Sequence, residues 1–269
     1  MEEVLRLQVE ILAKVDFFCR EHSISYTVDG GTCIGAVRHK GYIPWDDDID
    51  IAMTRPNYER FIHSFNGSYC DLELYAPELN WDYYAPYANV CDKRTLLHEG
   101  ANGHHNMEIG VKIDVFPIDG VATDMSKYRR NTTLLKILWR LLYIKRYDVR
   151  GLWQNNKVSF IKNCMIRAVS LPLSYSSIQK KIHRLATSYP FSQAKFVEDF
   201  VTPWPRDVRC SREAFEEYQD INFEDIVVSI IKGYDEYLTK LYGDYMKLPP
   251  MEQRVNHHNF MAFWKDDIA

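Results

Sequence analysis

Residues 26–53 read YTVDGGTCIGAVRHKGYIPWDDDIDIAM, and this stretch decides how the rest of the chain is arranged. Its first part alternates apolar and polar residues up to Asp29, which predicts a short β-strand. Gly30 and Gly31 then predict a turn, and Thr32 is placed to cap a short helix behind it. Because a glycine turn exposes backbone N–H groups and a helix N-terminus favours negative charge, these three residues are candidates for binding phosphate.

The second part of the stretch, residues 45–53, alternates in the manner of a β-strand. Ile49 and Ile51 point towards the core in this arrangement, so Asp48 and Asp50 share the opposite, open face about 7 Å apart along the strand. Two carboxylates this close repel each other unless a proton or a cation lies between them. The pair is therefore a candidate site for Mg²⁺ or Mn²⁺, and the alternative is a solvated acidic turn beside a glycine loop.

A third acid, Asp114, lies in a second strand-like segment, VKIDVF at 111–116, which Pro117 is expected to end. Aspartate is disfavoured in strand interiors, so an acid flanked by isoleucine and valine indicates a specific role. We expect Asp114 to meet Asp48 and Asp50 across adjacent strands and to complete a three-carboxylate metal site. These three acids are the candidate catalytic residues.

The composition is that of a globular protein without a disulfide framework. The chain has 269 residues, of which 46% are hydrophobic, enough for one large domain or two small ones. Its six cysteines form no Cys-x-x-Cys pair, so no zinc site is expected and a reducing compartment is favoured. The acidic start of the sequence differs from a signal peptide, and no apolar run reaches transmembrane length. We therefore expect a cytoplasmic protein.

Basic residues concentrate in the segment 125–185, which holds 14 lysines and arginines against the single acid Asp148, a net charge of +13, whereas the whole chain carries −4. Its apolar residues have helical spacing, and basic amphipathic helices suit the inner face of a membrane or a polyanionic acceptor; a helical subdomain with a solvated basic rim is the alternative. Nucleic acid is not expected as a partner, because no motif for it accompanies the charge. The predicted division is a catalytic core at 1–124, a basic helical subdomain at 125–190, and a segment at 191–269 that packs back on the core.

Two clusters between positions 81 and 94 each have two interpretations. The run WDYYAPY at 81–87 is rich in aromatic rings, which either pack on the core around a proline turn or form a box for a quaternary ammonium group. Lys93 and Arg94 form a basic corner between two short predicted strands, and this corner meets either phosphate or solvent.

The run from Gly30 to Ile51 closely resembles the signature of the LicD family of bacterial phosphocholine (diphosphonucleoside choline) transferases, a branch of the nucleotidyltransferase superfamily that includes the fukutin proteins. The resemblance extends to three further segments and a histidine pair: 55–61, 112–119, 242–250, and His257 with His258. It implies an α/β (α+β) nucleotidyltransferase-like fold, in which a mixed sheet is flanked by helices. The glycine turn, the Asp48–Asp50 strand and the Asp114 strand converge in such a fold.

The resemblance also implies a reaction. The donor would be CDP-choline, the acceptor a sugar hydroxyl of a lipid-linked teichoic acid or lipopolysaccharide precursor, and the product CMP. Phosphoryl transfer requires charge neutralisation, which Mg²⁺ or Mn²⁺ on the three acids would provide. The implied binding residues are Gly30, Gly31, Thr32, Arg38 and Lys93 for phosphate, and Trp45, Trp81 and Tyr84 for choline. The alternatives are transfer of ribitol phosphate, glycerol phosphate or a nucleotide, and a non-catalytic membrane- or glycan-binding relative.

Overall fold

The computed structural model describes residues 2–99, 109–145, 157–256 and 260–267. Its helices are α1 (Glu2–Glu21), α2 (Gly30–Arg38), α3 (Arg55–Phe65), α4 (Met125–Lys145), α5 (Lys157–Ser170), α6 (Tyr175–Ala186) and α7 (Tyr234–Tyr242). Its strands are β1 (Thr27–Val28), β2 (Asp50–Thr54), β3 (Ser68–Tyr69), β4 (Leu72–Tyr75), β5 (Ala88–Asp92), β6 (Thr95–Glu99), β7 (Lys112–Val121), β8 (Phe196–Asp199), β9 (Cys210–Ser211), β10 (Tyr218–Phe223), β11 (Ile226–Ile231) and β12 (Phe260–Trp264). This content confirms the predicted α/β class.

The central sheet has the strand order β1-β2-β7-β5-β4-β3. β2 and β7 are parallel, and the other neighbouring strands are antiparallel, so the sheet is mixed. β7 is the longest strand and pairs with β2 along one edge. Along its other edge, its first half pairs with β5 and its second half with β8. The central strand is therefore β7, and it holds the two halves of the sheet together.

Pro117 lies inside β7 and does not end the strand as the sequence predicted. The pairing with β5 stops at Val115, and the pairing with β8 begins at Ile118. Because proline has no N–H group to donate, it is tolerated where a strand has no partner to bond. Pro117 occupies the gap between the two partners on this edge, so β7 continues to Val121.

The main core lies on one face of the β2–β7 pair. Ile51 in β2 is the register partner of Val115 in β7, and both side chains are buried in the main apolar cluster. α1 lays its apolar stripe on the same cluster and buries Leu12 and Val15 completely. Because side chains alternate along a strand, the residues before Ile51 and Val115 point to the opposite face.

The basic segment forms its own apolar cluster. α4 packs against both α5 and α6, and Leu135 and Leu138 of α4 are buried with Ile178 and Ile182 of α6. None of the helices in the described part of the chain has the length and apolar composition needed to cross a bilayer. The division at 124 and 190 stays a prediction.

A buried charged cluster joins α3, β7 and α6. The Arg55 guanidinium donates to both carboxylate oxygens of Asp119, at 2.7 and 2.8 Å. Its other nitrogen lies 3.4 Å from Glu78, whose carboxylate is also 3.3 Å from His183 Nδ1. Since Arg55 and Asp119 are both buried, the pair is isolated from water and fixes the start of α3 against the end of β7.

The hairpin β10–β11 was not predicted from the sequence, and it packs beside β1. The Ile231 N–H group donates to Thr27 Oγ1 at 3.1 Å, and the Ser229 N–H group donates to Tyr26 Oη at 3.2 Å. These bonds satisfy two backbone N–H groups of β11 with hydroxyl groups of Tyr26 and Thr27, at the start of β1. The hairpin thereby supports the strand that leads into α2.

Candidate active site

The parallel pairing of β2 and β7 brings Asp50 and Asp114 together. The two residues are partners in the register of the strands, on the face opposite the main core. The Asp114 N–H group donates to the carbonyl oxygen of Ile49 at 3.0 Å, which fixes the start of both strands. Neighbouring strands lie about 4.8 Å apart, so the two carboxylates can share one ion.

The acidic run is only partly strand. β2 begins at Asp50, and residues 45–49 are a turn and an irregular segment rather than the predicted strand. The alternation of side chains nevertheless persists, because Asp47 and Ile49 are buried while Asp48 is half-buried. In the described part of the chain, ligand oxygens of Asp46, Asp47 and Asp48 lie within 4.8 Å of one another.

The two glycines form the first turn of α2 rather than a separate turn before it. α2 begins at Gly30, and its N-cap is Asp29. Gly30 has a φ of +50°, and a Cβ there would lie 3.2 Å from Asp50 Oδ2. A Cβ on Gly31 would collide with the Asp46 carboxylate. Position 30 therefore favours glycine because of its positive φ, whereas a side chain at position 31 would displace the Asp46 carboxylate.

Thr32 does not cap the helix, contrary to the prediction. It is the third residue of α2, and its Oγ1 accepts a hydrogen bond from the Asp50 N–H group at 2.9 Å. The Asp29 N–H group donates to the carbonyl oxygen of Asp50 at 2.9 Å. Asp50 is thus held through both of its backbone polar groups, and Thr32 acts on the acid rather than on the helix end.

Several carboxylates lie close together in this site and repel one another when they are ionised. Burial and the neighbouring carboxylates, with Asp48 and Asp114 first among them, raise the pKa of Asp50 well above its usual range. Burial also raises the pKa of Asp29, although Tyr237 Oη donates to this carboxylate at 2.7 Å. An oxygen-rich group of this kind suits a hard divalent cation. The charges of Asp48 and Asp114 act on Asp50, whereas the carboxylate oxygens that converge within 4.8 Å in the described residues belong to Asp46, Asp47 and Asp48. The ion site on Asp48, Asp50 and Asp114 stays a prediction.

Asp114 has protein partners that the sequence did not identify. Lys112 Nζ donates to Asp114 Oδ1 at 2.8 Å, and Asn89 Nδ2 donates to the same oxygen. Asn89 is the register partner of Asp114 in β5, and its own Oδ1 accepts hydrogen bonds from Tyr83 and Tyr84. A fully buried asparagine in a strand of apolar residues was the available signal.

The three aromatic residues predicted to hold choline lie in different surroundings. Tyr84 is buried and connects to Asp114 through Asn89. The Trp81 ring instead lies 5.4 Å from the ring of His183, and Lys180 lies 5.7 Å from its centre, so Trp81 packs on α6. The sequence alone could not show that these residues have different surroundings, because that difference comes from turns of the chain between them.

Trp45 belongs to a basic cluster with Arg38, His39 and Arg254. The Arg254 guanidinium lies 5.3 Å from the centre of the Trp45 ring, and the His39 ring lies 6.4 Å from it. One face of Trp45 is therefore already occupied by a cation. Arg254 was missed from the sequence, because a single arginine in an irregular segment gives no local signal.

Arg38 and Arg254 form no ion pair with a carboxylate of the described residues. Arg38 donates to the carbonyl oxygen of Tyr245 at 2.5 Å and to His39 Nε2 at 2.9 Å. Burial and the charge of Arg254 lower the pKa of Arg38, and burial and Arg38 lower the pKa of His39. The cluster therefore attracts an anion.

Lys93 is not brought to the acids. It follows β5 at the end away from Asn89, and its Nζ donates to the carbonyl oxygen of Cys70 at 2.6 Å. The strand direction is the physical reason, since β5 runs antiparallel to β7 and its last residues pass the start of β7. Of the two basic residues predicted to bind phosphate, only Arg38 lies in a cluster of cations. His257 and His258 lie outside the described residues.

Tyr242 of α7 completes the wall beside the glycines. Its hydroxyl lies 3.4 Å from the position that a Cβ on Gly30 would take. Burial, followed by the carboxylates of Asp29 and Asp50, raises the pKa of Tyr242. The resemblance of residues 242–250 to the family pattern contained this residue, although no role for it followed from the sequence alone.

The sequence resembles those of known proteins. A family profile described as LicD/FKTN/FKRP, nucleotidyltransferase domain, matches residues 23–139, which include the glycines and all three acids. The chain is 31% identical over 267 residues to the lipopolysaccharide cholinephosphotransferase LicD of Haemophilus influenzae, in an alignment that covers 93% of this chain and 94% of that protein. Uncharacterized proteins of Rickettsia prowazekii and Rickettsia typhi are each 52% identical over 33 residues, or 12% of this chain, and 12% and 11% of those proteins. The domain match and the nearly full-length relative show that this chain belongs to the LicD family.

Proposed function

We propose that the protein transfers phosphocholine from CDP-choline to a sugar hydroxyl of a lipopolysaccharide- or teichoic-acid-type precursor and releases CMP. The observation that supports this most strongly is the pairing of Asp50 with Asp114 beside the first turn of α2. The relative from Haemophilus influenzae is named as a cholinephosphotransferase, which supports choline as the cargo. The acceptor oxygen forms a bond to the choline-bearing phosphorus, and the bond from that phosphorus to the CMP oxygen breaks.

The acids have two tasks in this reaction. Asp48, Asp50 and Asp114 would hold Mg²⁺ or Mn²⁺, whose charge offsets the negative charge on the reacting phosphate. Asp114 is the candidate to accept the proton of the sugar hydroxyl. Lys112 and Asn89 both bond to its Oδ1, and these contacts orient the carboxylate. Asp114, Lys112 and Asn89 all lie on strands, so the orientation of the Asp114 carboxylate is set before the substrate binds.

The donor phosphates are assigned to the basic cluster and the start of α2. The N–H groups of Gly30 and Gly31 lie in the first turn of α2, where the helix dipole favours negative charge. Arg38 and Arg254 supply positive charge near Trp45, which directly precedes the acidic run. The glycine N–H groups and the two arginines together can neutralise a diphosphate that extends along α2.

Choline is assigned to the aromatic side of Asn89. Tyr84, Tyr87, Trp139 and Tyr143 line one cavity, in which the rings of Trp139 and Tyr143 stack 5.2 Å apart. Its volume is about 20 Å³, room for about one water molecule, so these rings must move apart to admit choline. A quaternary ammonium group gains about 0.5–2 kcal/mol from contact with aromatic faces. Since Tyr84 connects to Asp114 through Asn89, this cavity adjoins the reacting acids.

The test replaces Asp50 by asparagine, which keeps the shape of the side chain and removes its charge. Asp50→Asn should lower CMP release from CDP-choline in the presence of the acceptor about 10²- to 10³-fold. Its thermal unfolding temperature should not fall, because the substitution removes a buried charge that Asp48 and Asp114 repel. Asp225→Asn, at the exposed turn of the β10–β11 hairpin, is the matched control and should keep full activity. Near-normal, metal-stimulated CMP release by Asp50→Asn would show that the site is assigned wrongly.

The cargo requires a separate measurement. Wild-type protein is incubated with a lipopolysaccharide- or teichoic-acid-type precursor as the acceptor and, in turn, with CDP-choline, CDP-ribitol, CDP-glycerol and nucleoside triphosphates, and release of CMP or pyrophosphate is measured for each. We expect CDP-choline to react fastest. Faster reaction of a CDP-alditol would assign the other cargo to the same acids, and no reaction together with no calorimetric binding of Mg²⁺ or Mn²⁺ would indicate a non-catalytic relative.

A further inference from the structure

A second cavity lies between the first half of α4 and the loop before β9, away from the basic cluster at Trp45. Its volume is about 350 Å³, within the range of pockets that bind small molecules. Its lining consists of Met125, Tyr128, Arg129, Thr132, Thr133, Lys136, Trp204, Pro205, Arg206 and Asp207. The residues combine hydroxyl groups, cations and two aromatic rings, and such a set binds polar ligands with apolar faces.

The charge of this cavity favours an anion. Arg129, Lys136 and Arg206 are three basic residues in its lining, and Asp207 is the only acid there. The Asp207 carboxylate already bonds to the Arg209 guanidinium at 2.7 Å, so its charge is neutralised outside the lining. Within the described residues, no ion pair of Arg129, Lys136 or Arg206 offsets the remaining positive charge.

Trp204 provides a flat apolar wall and a polar group without a protein partner. Its indole Nε1 is buried and has no hydrogen-bond acceptor among the described residues. A buried N–H group without an acceptor is unfavourable, and this one is closed off from solvent, so a ligand in the cavity would bond to it after a rotation of the indole ring. Sugars offer both features, because their C–H faces pack on aromatic rings and their hydroxyl oxygens accept hydrogen bonds.

The same tryptophan connects the cavity to the acids. Its ring lies 6.4 Å from that of Tyr242 in an edge-to-face contact. The Tyr242 hydroxyl in turn lies beside Gly30, next to Asp50. A molecule in the cavity is therefore separated from the reacting acids by two aromatic rings, a distance that one or two sugar units can span.

We propose that this cavity is a subsite for a saccharide with an anionic substituent, the acceptor of the transfer reaction. The acceptor role rests on the function proposed above. Arg129, Lys136 and Arg206 bind the anionic group, and Trp204 packs against the sugar ring. The acceptor then extends past Tyr242 and presents its hydroxyl to Asp114.

The test follows the six tryptophan indole N–H signals by ¹H–¹⁵N NMR, with Trp204→Phe used to assign the signal of Trp204. Glucose 6-phosphate is the probe, and glucose and inorganic phosphate are titrated separately. We expect glucose 6-phosphate to shift the Trp204 signal saturably, and the other two to shift it at least tenfold less at equal concentration. Equal shifts with inorganic phosphate would overturn the saccharide assignment.

A matched pair of variants on α4 tests the cations. Arg129 lines the cavity, whereas its neighbour Arg130 is equally basic and exposed but does not. Arg129→Gln should weaken the binding of glucose 6-phosphate at least tenfold, and Arg130→Gln should leave it within twofold. No shift in the wild type, or equal weakening by both variants, would overturn the proposal.

The titration does not depend on turnover, so it separates the two proposals. Asp50→Asn protein should bind glucose 6-phosphate as the wild type does, because the subsite lies outside the acids. If the wild type binds the probe but releases no CMP from any CDP-linked donor, the proposed reaction fails while the saccharide site stands. If CMP is released but the Trp204 signal does not move, the subsite fails alone.

Discussion

Asp50 and its neighbours show how single residues concentrate negative charge beside a helix end. Thr32 Oγ1 and the Asp29 N–H group hold the backbone of Asp50 in place, so its carboxylate cannot move away from the others. Glycine at positions 30 and 31 lets Asp46 and Asp50 approach the helix end, where a side chain would prevent it. The backbone therefore holds these carboxylates close together, and the divalent ion proposed above would relieve their repulsion.

Arg254 is a second single residue with a proposed role, and its part in donor binding can be measured. Arg254→Gln should raise the KM for CDP-choline about tenfold with a smaller change in kcat, because a charge-assisted hydrogen bond to phosphate contributes about 1.5–3 kcal/mol. Initial rates of CMP release over a range of CDP-choline concentrations give both constants.

Lys93→Gln is the control for this measurement. Lys93 bonds to the carbonyl oxygen of Cys70 and lies at the far end of β5, so its replacement should leave the KM unchanged. An equal rise in KM for both variants would mean that the donor extends to β5, contrary to the assignment of the basic cluster.

At the scale of elements, the contacts between helices and the sheet determine which strands meet. Arg55 begins α3 directly after β2, and Asp119 lies near the end of β7. Their buried pair therefore links the two strands that bear Asp50 and Asp114, at the end opposite to the acids. The register of β2 on β7 depends on this contact as well as on backbone pairing.

Breaking that pair should destabilise the protein strongly. Asp119→Asn leaves the buried Arg55 charge with only its longer contact to Glu78, at 3.4 Å. Loss of a buried partner charge costs about 3–5 kcal/mol of the free energy of unfolding. Urea unfolding followed by circular dichroism measures this change. Glu10→Gln, which removes an exposed pair with Arg6, is the control and should have little effect. Similar losses in both variants would show that the buried pair has no special role.

Local patterns predicted part of this arrangement. The helices α1, α3 and α7 follow from apolar spacing and from their proline or glycine boundaries, and alternation placed Asp48 and Asp50 on one side of the chain. Asp114 was identified because an acid between apolar strand residues is unusual. These inferences needed only neighbouring residues.

The remaining features depend on contacts between distant segments. Pro117 continues β7 only because β5 ends and β8 begins beside it, and neither partner is visible near Pro117 in the chain. The roles assigned to Asn89 and Arg254 follow from their contacts with Asp114 and Trp45, which lie far away in sequence. The three proposed choline residues were grouped by composition, although the fold places them in different surroundings.

At the scale of the whole molecule, charge and exposed apolar surface coincide on α5. Ile161, Met165 and Val169 follow one another at four-residue intervals and are 58%, 60% and 64% exposed. They lie in the segment 125–185, whose net charge is +13. We propose that this stripe contacts an anionic membrane surface, to which each nearby Lys or Arg contributes about 1 kcal/mol.

Vesicle binding tests this contact. Met165→Glu should reduce co-sedimentation with phosphatidylserine-containing vesicles several-fold, because it places a negative charge in the apolar stripe. Phe17 of α1 is also 60% exposed, so Phe17→Glu is a matched control and should retain binding. Equal binding by the wild type and Met165→Glu would exclude α5 as the contact.

The pH dependence of global stability follows from two adjacent acids in β8. Burial raises the pKa of Glu198 from 4.5 to about 8 and that of Asp199 from 3.8 to about 8. The folded protein therefore keeps protons that the unfolded chain has lost, and stability should fall as the pH rises from about 4 to about 8. Each pKa unit corresponds to about 1.4 kcal/mol.

Glu198→Gln should flatten this dependence, because glutamine cannot ionise and can still accept the hydrogen bond from Tyr128 Oη. The thermal unfolding temperature of the wild type should fall as the pH rises through this range, whereas that of Glu198→Gln should fall less. Glu59→Gln, on the exposed side of α3, should behave as the wild type does. A wild-type stability that rises over this range would contradict the prediction.

The parallel pairing of β2 with β7 also bears on how the protein folds. The two strands are separated in the chain by α3 and four other strands, so their pairing is a long-range contact of the kind that forms slowly. Asp50 and Asp114 become neighbours in that same step. The proposed ion site would thus have no precursor in early, locally ordered intermediates, and recovery of Mg²⁺ or Mn²⁺ binding during refolding would report completion of the central sheet.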